Sequence, residues 1–80
     1  MYYTYVLYSP AHNRFYKGHC KNPEQRLKEH NSGKTKSIRA YIPWQIIYLE
    51  EFNTLEQAIK REKFFKSATG RKFIKSVVTL

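Results

Sequence analysis

Apolar positions along this chain follow two different periods. Near the N-terminus, Tyr2 to Tyr8 reads YYTYVLY, a run dominated by aromatic and β-branched residues that predicts a strand. Tyr3, Tyr5 and Leu7 fall on one face and Tyr2, Thr4, Val6 and Tyr8 on the other. Neither face is plainly polar, so the strand is expected to be covered on both sides. Pro10 and Asn13 mark a turn, and Arg14 to Gly18 returns as a second, antiparallel strand. Asn22 then offers an N-cap oxygen, Pro23 suits the first helical position and Gln25 completes a capping-box pattern. These signals predict a helix over about 23–31, with Gly33 just past its end. Trp44 to Glu51 predicts a third strand.

Thr54, with Gln57 three residues on, opens a second helix whose stripe of Leu55, Ala58, Ile59 and Phe65 has helical spacing. It is expected to run to about Ser67 and to be broken by Gly70. Arg71 to Val78 predicts a last short helix with Phe73, Ile74, Val77 and Val78 as its apolar edge. The order is β-β-α-β-α-α, which makes the expected fold α+β, a small three-stranded antiparallel sheet flanked by helices. With 80 residues and no linker-like or repeated stretch, residues 1–80 read as one domain.

Charge narrows the function. Fifteen lysines and arginines face six acids, a net charge of +9, and such an excess favours a polyanionic partner, most simply nucleic acid. No helix pairs a broad apolar face with a basic one, and no apolar run approaches membrane length, so a membrane partner is not expected. The single Cys20 rules out an internal disulfide framework and suits a reducing compartment. With nothing resembling a signal peptide, the expected location is the cytoplasm, either free in the cytosol or nucleoid-associated.

Two stretches concentrate side chains capable of chemistry. Phe15 to His30 packs a strand end, a glycine turn and a capped helix into sixteen residues. It offers Tyr16, Arg26 and His30, the last two sharing a helical face. In the second helix, Glu62 falls on the apolar stripe, three after Ile59 and three before Phe65. It is the one acid among seven basic residues between Lys60 and Lys75. A carboxylate on a core-facing stripe is costly unless something positive meets it. Lys66, four residues on, would make an ordinary helical ion pair; a divalent cation that prefers oxygen ligands is the other reading. Gly33-Lys34-Thr35 lacks the earlier glycine of a P-loop, since position 28 is Lys28. His19 and Cys20 with His12 or His30 match no usual zinc spacing.

Taken together, these positions resemble the single-domain GIY-YIG nucleases, close to the small group related to the nuclease module of the excinuclease that makes incisions in DNA repair. Tyr3-Thr4-Tyr5 occupies the place of the first motif and Tyr16-Lys17-Gly18 that of the second. Arg26 lies ten residues beyond the second tyrosine, His30 four further, and the segment AIKREKFFK puts Glu62 at the family's carboxylate. The first motif keeps its tyrosine but not its glycine, the second carries Lys17 for a branched apolar residue, His19 stands where some relatives carry lysine, and no Asn follows Asn53.

The resemblance implies hydrolysis of a DNA phosphodiester by water with one Mg²⁺ or Mn²⁺ ion, in repair or recombination. Tyr16 is then the expected general base with His30 as its partner or substitute. Tyr5 would orient the water or phosphate, Arg26 would clamp the phosphate and Glu62 would hold the metal. Lys17, His19, Lys34, Lys36, Arg39 and Lys66 are expected to contact substrate. RNA is a second possible substrate, and a monomer or weak homodimer is expected. The competing reading is a non-catalytic nucleic-acid binding module that keeps the fold, and a third is a protein-interaction domain whose basic face meets an acidic partner.

Overall fold

The computed structural model describes residues 1–78, and the fold is built around its first strand. β1 (Tyr2–Ser9) lies in the middle of a three-stranded antiparallel sheet, between β2 (Arg14–Cys20) and β3 (Gln45–Phe52). α1 (Pro23–Asn31) follows β2, a short 3₁₀ turn (Arg39–Tyr41) precedes β3, and α2 (Leu55–Lys66) and α3 (Ala68–Val77) close the chain. This is the expected order, β-β-α-β-α-α.

The alternation of β1 divides the interior into two layers. Tyr5 and Leu7 point to one side, where they pack with Ile38 and Trp44 and against Tyr16, Leu27 and Ile46. Val6 points to the other, where it meets Phe65 and Ile74, with Phe15, Ile47, Tyr48, Phe64 and Phe73 around them. α1 and the loop after it therefore cover one face, and α2 and α3 the other. Thr4 through Leu7 are all buried, as a doubly covered strand requires.

On the second face α2 approaches closely because Ala58 is small and fully buried, and the Thr4 hydroxyl donates to the Ala58 carbonyl at 2.8 Å. On the first face Asn31 ties the end of α1 to the start of β3. Its amide donates to the Trp44 carbonyl (3.1 Å) and its oxygen accepts from the Trp44 backbone N–H (2.6 Å).

Both predicted caps are present. Asn22 accepts from the Gln25 backbone N–H, but the return bond from the Gln25 side chain does not form, so the expected capping box is half made; Thr54 and Gln57 form a complete one. Gly33 has φ of +86°, the left-handed conformation expected of a residue just past a helix. The ends of the last two helices differ from expectation. α2 ends at Lys66, and the break falls at Ser67, whose hydroxyl accepts from the Gly70 N–H and so caps α3. Gly70 does not break a helix. It lies buried in the first turn of α3, where a Cβ would collide with the Phe64 carbonyl. Leu55 and Val77, assigned to apolar stripes, are exposed by 43% and 45%. Each sits at an end of its helix, Leu55 first in α2 and Val77 last in α3.

Candidate active site

Four of the five motif side chains gather on the α1 face. Strand register brings them together: Tyr5 pairs with Gly18, and Leu7 with Tyr16, so Tyr5 and Tyr16 project to the same side. Their ring centroids are 6.4 Å apart. α1 lowers His30 onto both, edge-on to Tyr16 at 5.2 Å and tilted against Tyr5 at 6.0 Å. Gly18 is required here, because a side chain at that position would run into the Tyr5 phenol.

The polar atoms of this cluster form a continuous chain. The Tyr5 hydroxyl lies 2.9 Å from His30 Nε2, and His30 Nδ1 lies 2.9 Å from the Thr35 hydroxyl. Burial pushes the Tyr5 phenol up to about 12, against the opposing pull of the Arg26 guanidinium beside it. Tyr5 is therefore protonated at neutral pH. Arg26 offers only donors, so toward that side the phenolic oxygen is the acceptor. Burial, aided by the positive charge of Arg26, holds the His30 imidazole below its ordinary titration range, which keeps the ring neutral. His30 is fully buried and both ring nitrogens are engaged, which suits a residue that orients Tyr5 rather than one that meets water. Arg26 is half-exposed and pairs with Glu29 at 3.0 Å.

Glu62 occupies the opposite face. The expected inward orientation is present, with 17% of the side chain exposed. Its Oε1 accepts from His19 Nδ1 at 2.6 Å and its Oε2 from Lys66 Nζ at 2.8 Å. The ion pair with Lys66 thus forms, and His19 joins it. A carboxylate only accepts, so His19 Nδ1 is the donor in that bond. Burial works to raise the Glu62 pKa, but the hydrogen bonds from Lys66 and then His19 outweigh it and hold the carboxyl below its usual range. His19 pairs with Thr4 and Lys17 with Val6, which puts both on the α2–α3 side. Glu62 and the tyrosine cluster are therefore separated by the thickness of β2, an edge strand, and are linked through its adjacent residues Gly18 and His19.

The donor set at Glu62 suits one kind of ion. No group of three or more His, Cys, Asp and Glu side chains assembles among the described residues. An ion held by one carboxylate must take the rest of its shell from water and phosphate, which is how Mg²⁺ commonly binds. Lys66, 57% exposed on a flexible stem, can swing clear of Oε2.

The remaining expected substrate contacts are scattered. Lys34, Lys36 and Arg39 are exposed on the loop after α1. Thr35, between the two lysines, is the residue that His30 holds, so the basic loop is pinned to the tyrosine cluster. Sequence reasoning did not single out Thr35, and its five-residue distance from His30 gave no periodic signal. It also passed over Arg71 and Lys75. Together with Lys17, Phe15 and Ile74 they line a cavity of about 230 Å³ on the α2–α3 face.

A β-β-α-β-α-α sheet with a tyrosine from each of the first two strands, an arginine and histidine on the first helix and a carboxylate on the second defines the class. The profile of the GIY-YIG catalytic domain matches residues 1–75, and the chain belongs to the GIY-YIG family, a family of nucleases. Within it, the chain is similar to UPF0213 proteins. It is 42% identical over 70 residues to that of Bacillus licheniformis, covering 86% of this chain and 71% of the relative. It is 37% identical over 68 residues to one from Streptococcus agalactiae, covering 84% and 76%. The solution NMR structure of the UPF0213 protein from Bacillus halodurans superposes with a TM-score of 0.56 at 27% identity, covering 96% of this chain and 85% of that one.

Proposed function

We propose that the protein is a metal-dependent endonuclease that hydrolyses DNA phosphodiester bonds, acting in repair or recombination, with the substrate phosphate held across the β2 edge. The observation that carries this reading is the placement of Glu62. It is the lone acid of a basic segment, half-buried and ionised, beside the strand whose other face carries Tyr16.

In this reading Glu62 holds Mg²⁺ or Mn²⁺. When bound, the ion supplies Lewis-acid charge beside the leaving 3′ oxygen. Tyr16 is the general base. Among the tyrosines of the cluster, Tyr5 is the weaker candidate, because its hydroxyl is already engaged by His30 and its pKa is pushed to about 12. Tyr5 and His30 instead fix the geometry around Tyr16. Arg26 leaves Glu29 to clamp two phosphoryl oxygens, for which a planar guanidinium is suited. Lys34, Lys36 and Arg39 meet neighbouring phosphates from the pinned loop, and His19, Lys17 and Lys66 meet them from the other face.

One observation favours the second reading, a binding module without catalysis: both Glu62 oxygens already have internal donors. Incubation of plasmid and branched DNA with Mg²⁺ or Mn²⁺ separates the two. Cleavage by the wild type that Glu62→Ala and Arg26→Ala abolish supports the enzyme. Equal trace cutting by all three, with unchanged DNA binding, leaves the binding module.

A further inference from the structure

The cavity on the α2–α3 face lies outside the motif residues and has an unusual lining. Lys17 of β2 and Arg71 and Lys75 of α3 surround it, and its floor is the Phe15 ring and the Ile74 side chain. Arg71 and Lys75 are four apart on one helical face, with Ile74 between them pointing into the core. No acidic residue lines the cavity. The Lys17 ammonium stands over the Phe15 ring at 5.7 Å, half-buried, and has no carboxylate partner within ion-pair distance among the described residues. Burial, and then repulsion from Arg71 and Lys66, pulls its pKa below the ordinary lysine value. Three cations around an apolar floor repel one another in the free protein, and an anion among them relieves that repulsion.

We propose that this cavity is a second phosphate subsite, which takes one phosphodiester of a DNA strand among Lys17, Arg71 and Lys75 and lays the attached sugar or base on Phe15 and Ile74. The inference rests on the nuclease reading for its partner and adds the path of the strand. Lys17 and His19 project from the same face of β2 two residues apart, roughly 7 Å along a strand. That is a step successive phosphates of one strand can span. Lys66 stands near both places, since it pairs with Glu62 and its charge repels that of Lys17. A strand whose reacting phosphate sits at Glu62 thus has its neighbour over the cavity. The apolar floor explains why this is more than a charged patch: it gives a flat group, not only a charge, something to rest on.

The test is the affinity of a fluorescently labelled single-stranded DNA oligonucleotide, measured in EDTA as a function of salt, so that cleavage does not enter. The double variant Arg71→Ala/Lys75→Ala is expected to weaken binding roughly fivefold to tenfold and to reduce the log–log salt slope by about 1. Lys60→Ala, which removes a cation from the far exposed side of α2, is expected to change the affinity less than twofold and serves as the control. A second measurement does not depend on the variants folding. Titration of the wild type with a 5′-phosphorylated dinucleotide is expected to shift the backbone amides of Phe15, Lys17 and Ile74. An unchanged affinity and slope in the double variant, or a titration that leaves those amides in place, overturns the proposal. Binding through this cavity by a protein that cuts no DNA would end the catalytic reading and leave the subsite standing.

Discussion

The Tyr5 hydroxyl and His30 Nε2 lie 2.9 Å apart between a strand that is 2% exposed at that tyrosine and a helix whose histidine is fully buried. That one bond joins β1 to α1 at the position where the first motif tyrosine meets the first helix. A buried polar group that loses its partner keeps its full desolvation cost. Tyr5→Phe is therefore expected to destabilise the fold by about 1–3 kcal/mol. Urea denaturation monitored by the fluorescence of Trp44 measures it, and a midpoint equal to wild type would mean that the bond contributes nothing net.

The same histidine makes stability depend on pH in a defined window. His30 is depressed in the folded protein, so below its ordinary value of 6.5 the unfolded chain binds a proton that the folded one does not. Stability rises with pH wherever the unfolded state binds more protons, so this contribution is complete above about 6.5 and lost as pH falls through the folded-state value. Glu62 and Glu50 are also depressed, from 4.5, and their contributions are lost only at lower pH. Two separate acid-driven losses are expected. His30→Gln should remove the first and leave the second, which denaturation midpoints between about pH 2 and 8 would resolve.

Much of this was legible in the sequence because local rules and tertiary packing agree there. The unbroken apolar alternation of β1, the caps at Asn22 and Thr54 and the position of Glu62 on the α2 stripe each had a local signature, and each is present. What was not legible depends on how elements meet. Gly70 read as a breaker because glycine commonly ends helices, but its role is to admit the Phe64 carbonyl, a contact across two helices. Ser67 had the cap chemistry all along, and moving the start of α3 back to Ala68 puts Arg71 and Lys75 on the face that borders Lys17. The separation of Glu62 from Tyr16 by a strand's thickness follows from register, which motif spacing does not encode.

Gly70 offers a direct check of the helix junction. A methyl group there meets backbone, not the tip of a flexible side chain, so α3 must shift to admit it. Gly70→Ala is expected to cost about 1–3 kcal/mol even though alanine is the better helix former. A thermal midpoint raised above wild type would show that the junction yields freely.

Arg26 and Glu62 should separate binding from turnover. In the nuclease reading Arg26→Ala is expected to lower the single-turnover cleavage rate roughly a hundredfold or more, as loss of one positioned donor does. Glu62→Gln, nearly isosteric and still able to accept from His19, is expected to abolish metal-dependent cutting with little change in fold. Mn²⁺-induced broadening of the His19 and Glu62 amide resonances in the wild type, lost in Glu62→Gln, would locate the ion there. Broadening that persists in the variant would place it elsewhere.

Gly18 links the two faces, and its replacement tests whether the tyrosine cluster is held from the strand below as well as from the helix above. A Cβ at Gly18 points at the Tyr5 phenol, so Gly18→Ala forces that ring away from His30. The phenol would lose the same hydrogen bond that Tyr5→Phe removes. Residues that act through one shared contact do not add, whereas independent sites add to within about 0.3–0.5 kcal/mol. The double variant Gly18→Ala/Tyr5→Phe is therefore expected to cost less than the sum of the single variants by more than that margin. Denaturation of all four proteins closes the cycle. Strict additivity would mean that Gly18 and His30 position Tyr5 independently, and the cluster would not be the single unit that its register implies.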